Sequence, residues 1–179
     1  MKILYTGFLL VIIFSLINFA QDEKTVKPKY DVFSFNKEVT LPGTPEVIYD
    51  AVTGDISAWW DHHMSANPAK FFIEPKPGGG FWEIFDEQGN GVLHATVIYA
   101  DRGKLLRFDG PLGLSGKAIQ LVTTYEFSPA GTDSTLLKVS VHASGEVDEG
   151  IPALVEGAWG HFIFEKLKPY IEAGKHLKK

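Results

Sequence analysis

The chain has 179 residues, 45% of them hydrophobic and 22% charged, which is the size of one globular domain. Its 13 Phe, 6 Tyr and 4 Trp carry too much apolar mass for a disordered chain, and a net charge of −5 with no basic cluster excludes strong non-specific nucleic-acid binding. The lack of cysteine excludes disulfides, a thiol nucleophile, cysteine-ligated zinc and a lipoprotein-type anchor.

Lys2 precedes an uncharged run, Ile3 to Ala20, that is strongest from Phe8 to Phe14 and ends abruptly at Gln21-Asp22-Glu23. A positive start, a short apolar core and a small residue before a polar junction read as a secretory signal peptide over residues 1–20. Asn18 is a poor match to the small residue expected three positions before the cut. The competing reading is an uncleaved anchor: residues 3–20 as a helix rise about 27 Å, slightly short of a hydrocarbon core of roughly 30 Å. Either reading places the remainder outside the cytoplasm, periplasmic or secreted, with this segment as its sole membrane contact.

Residues 21–29 form a charged lead-in. From Tyr30 the pattern is that of a strand, with Phe33, Phe35, Val39 and Leu41 on one parity. Thr44 and Pro45 supply the N-cap and first position of a short helix carrying Val47, Ile48 and Ala51. Gly54-Asp55 ends it, and a second short helix is expected to hold Ile56, Trp59 and Trp60. Strands follow at Lys70–Glu74, Phe81–Asp86, Val92–Tyr99, Lys104–Asp109, Ile119–Phe127 and Leu137–Val141. Turn residues separate them, including the hairpin signal Gln88-Gly89-Asn90-Gly91 and the glycine-punctuated loop Gly110–Gly116. The last element is helical: Ile151, Leu154, Val155, Ala158 and Phe162 mark one stripe, and Trp159, Ile163, Leu167 and Tyr170 an adjacent one. Pro169 lies inside that pattern and should bend the final turns. The sum is an α+β domain over residues 30–174, with a tail at 175–179. A curved antiparallel sheet wraps a long C-terminal helix, and two short helices follow the first strand.

That order of elements resembles the helix-grip fold of the START/Bet v 1-like (SRPBCC) superfamily. The branch is the one similar to the C-terminal domain of the Hsp90 ATPase activator. The resemblance rests on Val39-Thr40-Leu41 running into Pro45–Ala51, then Trp59-Trp60, Pro77-Gly78-Gly79 before Phe81, and Gly157-Ala158-Trp159 leading to Leu167 and Tyr170. It spans about Tyr30 to Gly174. It implies a cavity between sheet and closing helix that binds a hydrophobic or amphipathic small molecule, lipid-like ligands included, without a cofactor. Alternatives are a cavity enzyme of the polyketide cyclase, dehydratase or hydrolase type, and a protein-interaction or chaperone-associated domain without a ligand. A chain outside the cytoplasm has no access to a cytosolic chaperone, so the chaperone role transfers poorly. One departure matters. Similar proteins carry a histidine near the end of the last strand, whereas the parity here puts Val141 inward and His142 toward solvent.

Trp59, Trp60, Trp82, Tyr99, Phe108, Tyr125, Trp159 and Phe162 are expected to wall the cavity. Glu83 shares a parity with Phe81 and Phe85. Facing inward, it would be a buried acid or base; facing outward, with Trp82 and Ile84 inside, it would be wet. Arg107 has the same ambiguity against Leu106 and Phe108, and an inward Glu83–Arg107 pair would anchor a polar ligand group. His94 lies opposite Leu93, Ala95 and Val97 and is expected at the surface. Asp61-His62-His63 invites a metal reading, but adjacent histidines diverge and no second pair has the spacing to complete a zinc site, so a solvated helix end is expected there. Gly116-Lys117 approaches a phosphate loop but lacks its first glycine and its hydroxyl residue, and no G-x-S-x-G nucleophile elbow occurs.

Overall fold

The computed structural model describes residues 27–178, so the expected leader lies outside the described residues. Eight antiparallel strands form one open, curved sheet: β1 (Tyr30–Pro42), β2 (Gly54–Asp55), β3 (Lys70–Ile73), β4 (Gly80–Ile84), β5 (Gly91–Asp101), β6 (Leu105–Gly110), β7 (Ile119–Gly131) and β8 (Ser134–Glu146). Their order is β1-β8-β7-β6-β5-β4-β3-β2, a meander whose first strand closes onto its last. Helix α1 (Pro45–Ala51) crosses from β1 to β2, and a continuous helix from Ile151 to Glu172 packs on the sheet. Among the described residues no helix is long and apolar enough to cross a membrane.

The long strands follow the alternation in the sequence. Val39 and Leu41 of β1, Leu121, Thr123 and Tyr125 of β7, and Leu137, Val139 and Val141 of β8 are buried. Register pairs Val39 with Leu137 and Thr123 with Val141, so these strands share one largely apolar face. His142 is exposed on the other face, as parity requires.

Three local features depart from expectation. The stretch around Ile56, Trp59 and Trp60 is a single hydrogen-bonded turn, Trp60 N to Ile56 O at 3.0 Å, and not a second helix. Continuation would need the Met64 amide to reach the Trp60 carbonyl, but the Glu83 carboxylate accepts that hydrogen bond, and the Trp60 indole donates to the His62 carbonyl at 3.1 Å. The chain is thereby held extended.

The second departure is in β5. Phe81 pairs with Ala95 while Trp82 pairs with Leu93, so His94 is an extra residue; Ile98 is another, between the pairs Val97–Phe108 and Tyr99–Arg107. Each bulge switches the faces of the strand. His94 and Ala95 both point inward, whereas Leu93 and Tyr99 are 42% and 46% exposed.

The third concerns the closing helix. It is α-helical over Ile151–Gly160 (α2), π-helical over His161–Leu167 and α-helical again over Lys168–Glu172 (α3). The Lys168 amide bonds the Ile163 carbonyl five residues back. Pro169 lacks an amide hydrogen and crowds the carbonyl four residues before it, and the wider turn ends directly before the segment that carries it.

Candidate functional site

A cavity of about 320 Å³ lies between the inner sheet face and α2, at the small end of ligand-pocket sizes (about 300–1,000 Å³). Trp60, His62, His63 and Met64 line it from the extended segment, Phe71, Phe81, His94 and Leu121 from the sheet, and Pro111 to Leu114 from the loop after β6. Leu154, Val155, Ala158, Trp159 and Phe162 complete it from the helix. Leu112 in that loop has φ +51°, which is uncommon for a residue other than glycine. Leu154 is 61% exposed at the cavity although it belongs to the expected apolar stripe. Trp60 organises one wall: Phe162 stacks on it with centroids 3.8 Å apart, and Phe71, Phe81 and Trp159 meet it at 6.1, 5.2 and 5.9 Å.

Within this apolar lining sits one buried polar network. Glu83, fully buried on β4, accepts hydrogen bonds from the Met64 amide at 2.9 Å and the Ser65 amide at 2.7 Å. His94 Nε2 lies 3.0 Å from the same carboxylate. Burial alone would push the Glu83 pKa up, but the two amides and the imidazole outweigh it and hold the carboxyl below its ordinary value, so it is ionised. The ionised carboxylate accepts from the Nε2–H of His94. Nδ1 makes no hydrogen bond among the described residues, and the ring lines the cavity between Phe71 and Phe81.

A depressed carboxylate pKa contributes stability that is complete above the ordinary value of 4.5 and is lost as pH falls through the depressed folded value. The stability difference between wild type and Glu83→Gln should therefore be constant at neutral pH and shrink below about pH 4.5, read by urea unfolding at a series of pH values. A difference independent of pH would mean that the Glu83 pKa is the same folded and unfolded, and one that grows as pH falls would mean that Glu83 carries no charge in the folded protein.

The residues expected at the site divide into three groups. Trp60, Trp159 and Phe162 line the cavity. Trp59, Phe108 and Tyr125 are buried in the adjoining core: the Trp59 indole donates to the Ala51 carbonyl, and burial pushes the Tyr125 phenol pKa up. Trp82, Tyr99 and Arg107 are on the outer face. The Trp82 indole donates to Glu74 at 3.2 Å and the Arg107 guanidinium to the Thr124 hydroxyl at 2.8 Å, so the Glu83–Arg107 pair does not form. Glu83 is inward and His94, expected at the surface, is its partner. The reason is the bulge, which adds one residue exactly where alternation would have turned the imidazole outward. Val155 and Ala158 could have been found from the helical stripe that named them; no periodic signal marks His94.

Asp61, His62 and His63, expected as a solvated helix end, are exposed but lie on an extended segment, and the closing helix brings His161 to Asp61 and His62 from 100 residues away. His161 Nε2 is 3.0 Å from both Asp61 oxygens and its Nδ1 is 2.9 Å from Glu165.

No family model matches the chain, and no curated protein matches it. Solved structures do. A Staphylococcus aureus protein of unknown function, SA2116, superposes with a TM-score of 0.62 at 14% identity, over 82% of this chain and 98% of its own. The Mesorhizobium loti protein MLL2253 gives 0.55 at 21% identity, over 79% and 98%. DynU16, from the dynemicin biosynthetic locus, gives 0.51 at 18% identity, over 79% of this chain and 48% of that one. At these identities the likeness is one of fold.

Proposed function

We propose that this chain is an exported member of the START/Bet v 1-like superfamily whose cavity binds a small apolar molecule bearing one polar group. The observation that carries this is the apolar cavity with the His94 imidazole in its wall, tied to buried Glu83 and with Nδ1 making no hydrogen bond among the described residues. A strand-meander-helix order and the solved structures of like fold are compatible with the superfamily. A ligand burying about 300 Å² of apolar surface gains roughly 7 kcal/mol, of which association takes at least ~4 kcal/mol. Apolar contact alone thus gives weak binding. A hydrogen bond to a carboxylate-backed imidazole adds about 1.5–3 kcal/mol, a factor of roughly 10–100 in affinity.

Native mass spectrometry with solvent extraction, followed by fluorescence of an apolar probe, tests the reading. The protein should retain or take up one apolar molecule, and Ala158→Trp, which fills the cavity from the helix side, should abolish uptake without unfolding. A wild-type protein that purifies empty and leaves the probe dark would exclude a ligand pocket and favour a protein-interaction domain.

A second reading draws on the same pair of residues. An imidazole held by a carboxylate in the wall of an apolar cavity has the arrangement of a general base. His94→Gln separates the two: a binder keeps uptake of a purely apolar probe and has no turnover to lose, whereas an enzyme keeps uptake and loses turnover of its substrate.

A further inference from the structure

We propose that Asp61, His62 and His161 form a binding site for a divalent transition-metal ion of the zinc class. Asp61 Oδ1, His62 Nδ1 and His161 Nε2 lie within 4.8 Å of one another, and each ring nitrogen is 3.0 Å from Oδ1. Ligand atoms around tetrahedral zinc, at about 2.0–2.1 Å from the metal, stand roughly 3.3 Å apart, so small side-chain rotations suffice to admit the ion. Two imidazoles and one carboxylate suit zinc, cobalt or nickel and disfavour calcium and magnesium, which take all-oxygen shells.

Two features set this cluster apart from an ordinary surface ion pair. Glu165, one helical turn beyond His161, holds the Nδ1 side of that ring, as the outer carboxylate does in carboxylate–histidine–metal arrangements; it leaves Nε2 for the ion. Lys166 lies 2.7 Å from Asp61 Oδ2, which His161 Nε2 also meets at 3.0 Å, so the ammonium competes on that oxygen whereas Oδ1 faces the two ring nitrogens alone. The wide turn of the closing helix serves both contacts, since His161, Glu165 and Lys166 all belong to the π segment. Three protein ligands leave a fourth coordination position open. The site does not depend on what the cavity holds, although His62 belongs to both.

Metal-stripped protein without a histidine tag is titrated with Co²⁺, followed by its visible d–d absorption, and with Zn²⁺ by calorimetry. The expected result is one equivalent bound. His161→Gln and His62→Gln should abolish saturable binding, and Glu165→Gln should weaken it by roughly 10–100-fold, the usual effect of losing an outer-shell partner. Lys166→Met, which removes the competing cation, should bind more tightly. His63→Gln, whose neighbouring ring packs instead on Phe71, should bind as wild type. These side chains are exposed or half-exposed, so circular dichroism should find every variant folded. The assignment is overturned if wild type has no saturable site, if His63→Gln loses as much as His161→Gln, or if Lys166→Met binds more weakly.

Discussion

Replacing Glu83 by alanine is expected to lower the unfolding free energy by about 3–5 kcal/mol, the usual cost of removing one partner of a buried charged network. Three donors converge on that carboxylate: the amides of Met64 and Ser65 and Nε2 of His94. Alanine leaves all three facing a space that water enters poorly, and each stranded donor costs about 1–3 kcal/mol before relaxation. The effect reaches beyond β4, because the same two amides hold residues 61–65 extended against the cavity. Glu83→Gln, which keeps one acceptor oxygen, should cost less than alanine. Chemical unfolding of the three proteins measures the order. An alanine variant within about 1 kcal/mol of wild type would mean that the segment at Met64 is held by something else.

Trp60→Ala should be of similar size, about 3–5 kcal/mol, through loss of buried surface and the void left behind. In a domain of this length that lowers the melting temperature by roughly 6–20 °C. Five aromatic rings, those of Trp59, Phe71, Phe81, Trp159 and Phe162, meet Trp60, and such rigid groups fill a void poorly. Trp60→Phe should recover most of the loss by keeping the stack on Phe162. Thermal unfolding decides; equal losses for alanine and phenylalanine would assign the effect to the indole hydrogen bond with the His62 carbonyl instead.

Strand alternation and the order of turn signals were enough to read the sheet and its apolar face, because β1, β7 and β8 keep a strict period of two over most of their length. The closing helix was legible for the same reason at a period of 3.6. The polar heart of the site was not. Alternation assumes one residue per step, and β5 breaks that assumption twice, which carries His94 in and Tyr99 out. On β4 the apolar residues occupy both parities, Phe81 with Trp82 and Ile84, so hydrophobicity could not choose the side for Glu83. The choice came from Met64 and Ser65, whose amides a sequence does not advertise. His161 was likewise invisible as a partner of Asp61, since the chain joining them contributes six strands before it returns.

The π segment separates two halves of the closing helix that serve different ends. Upstream, Val155, Ala158 and Trp159 face the cavity; downstream, Leu167, Tyr170 and Ile171 plug the core. An extra residue in a helix is, in evolutionary terms, an insertion that was kept. Deleting one residue there would restore ordinary α geometry and, since six residues at about 100° each turn nearly as far as seven in the wider π winding, would leave the two halves within roughly 30° of their present relation. One codon lost at this point would therefore tighten the wall of the cavity beside Phe162 while leaving both ends of the helix on the faces they now occupy. Homologous chains that differ in length by a single residue between Trp159 and Pro169 would accordingly be expected to bury the same two faces.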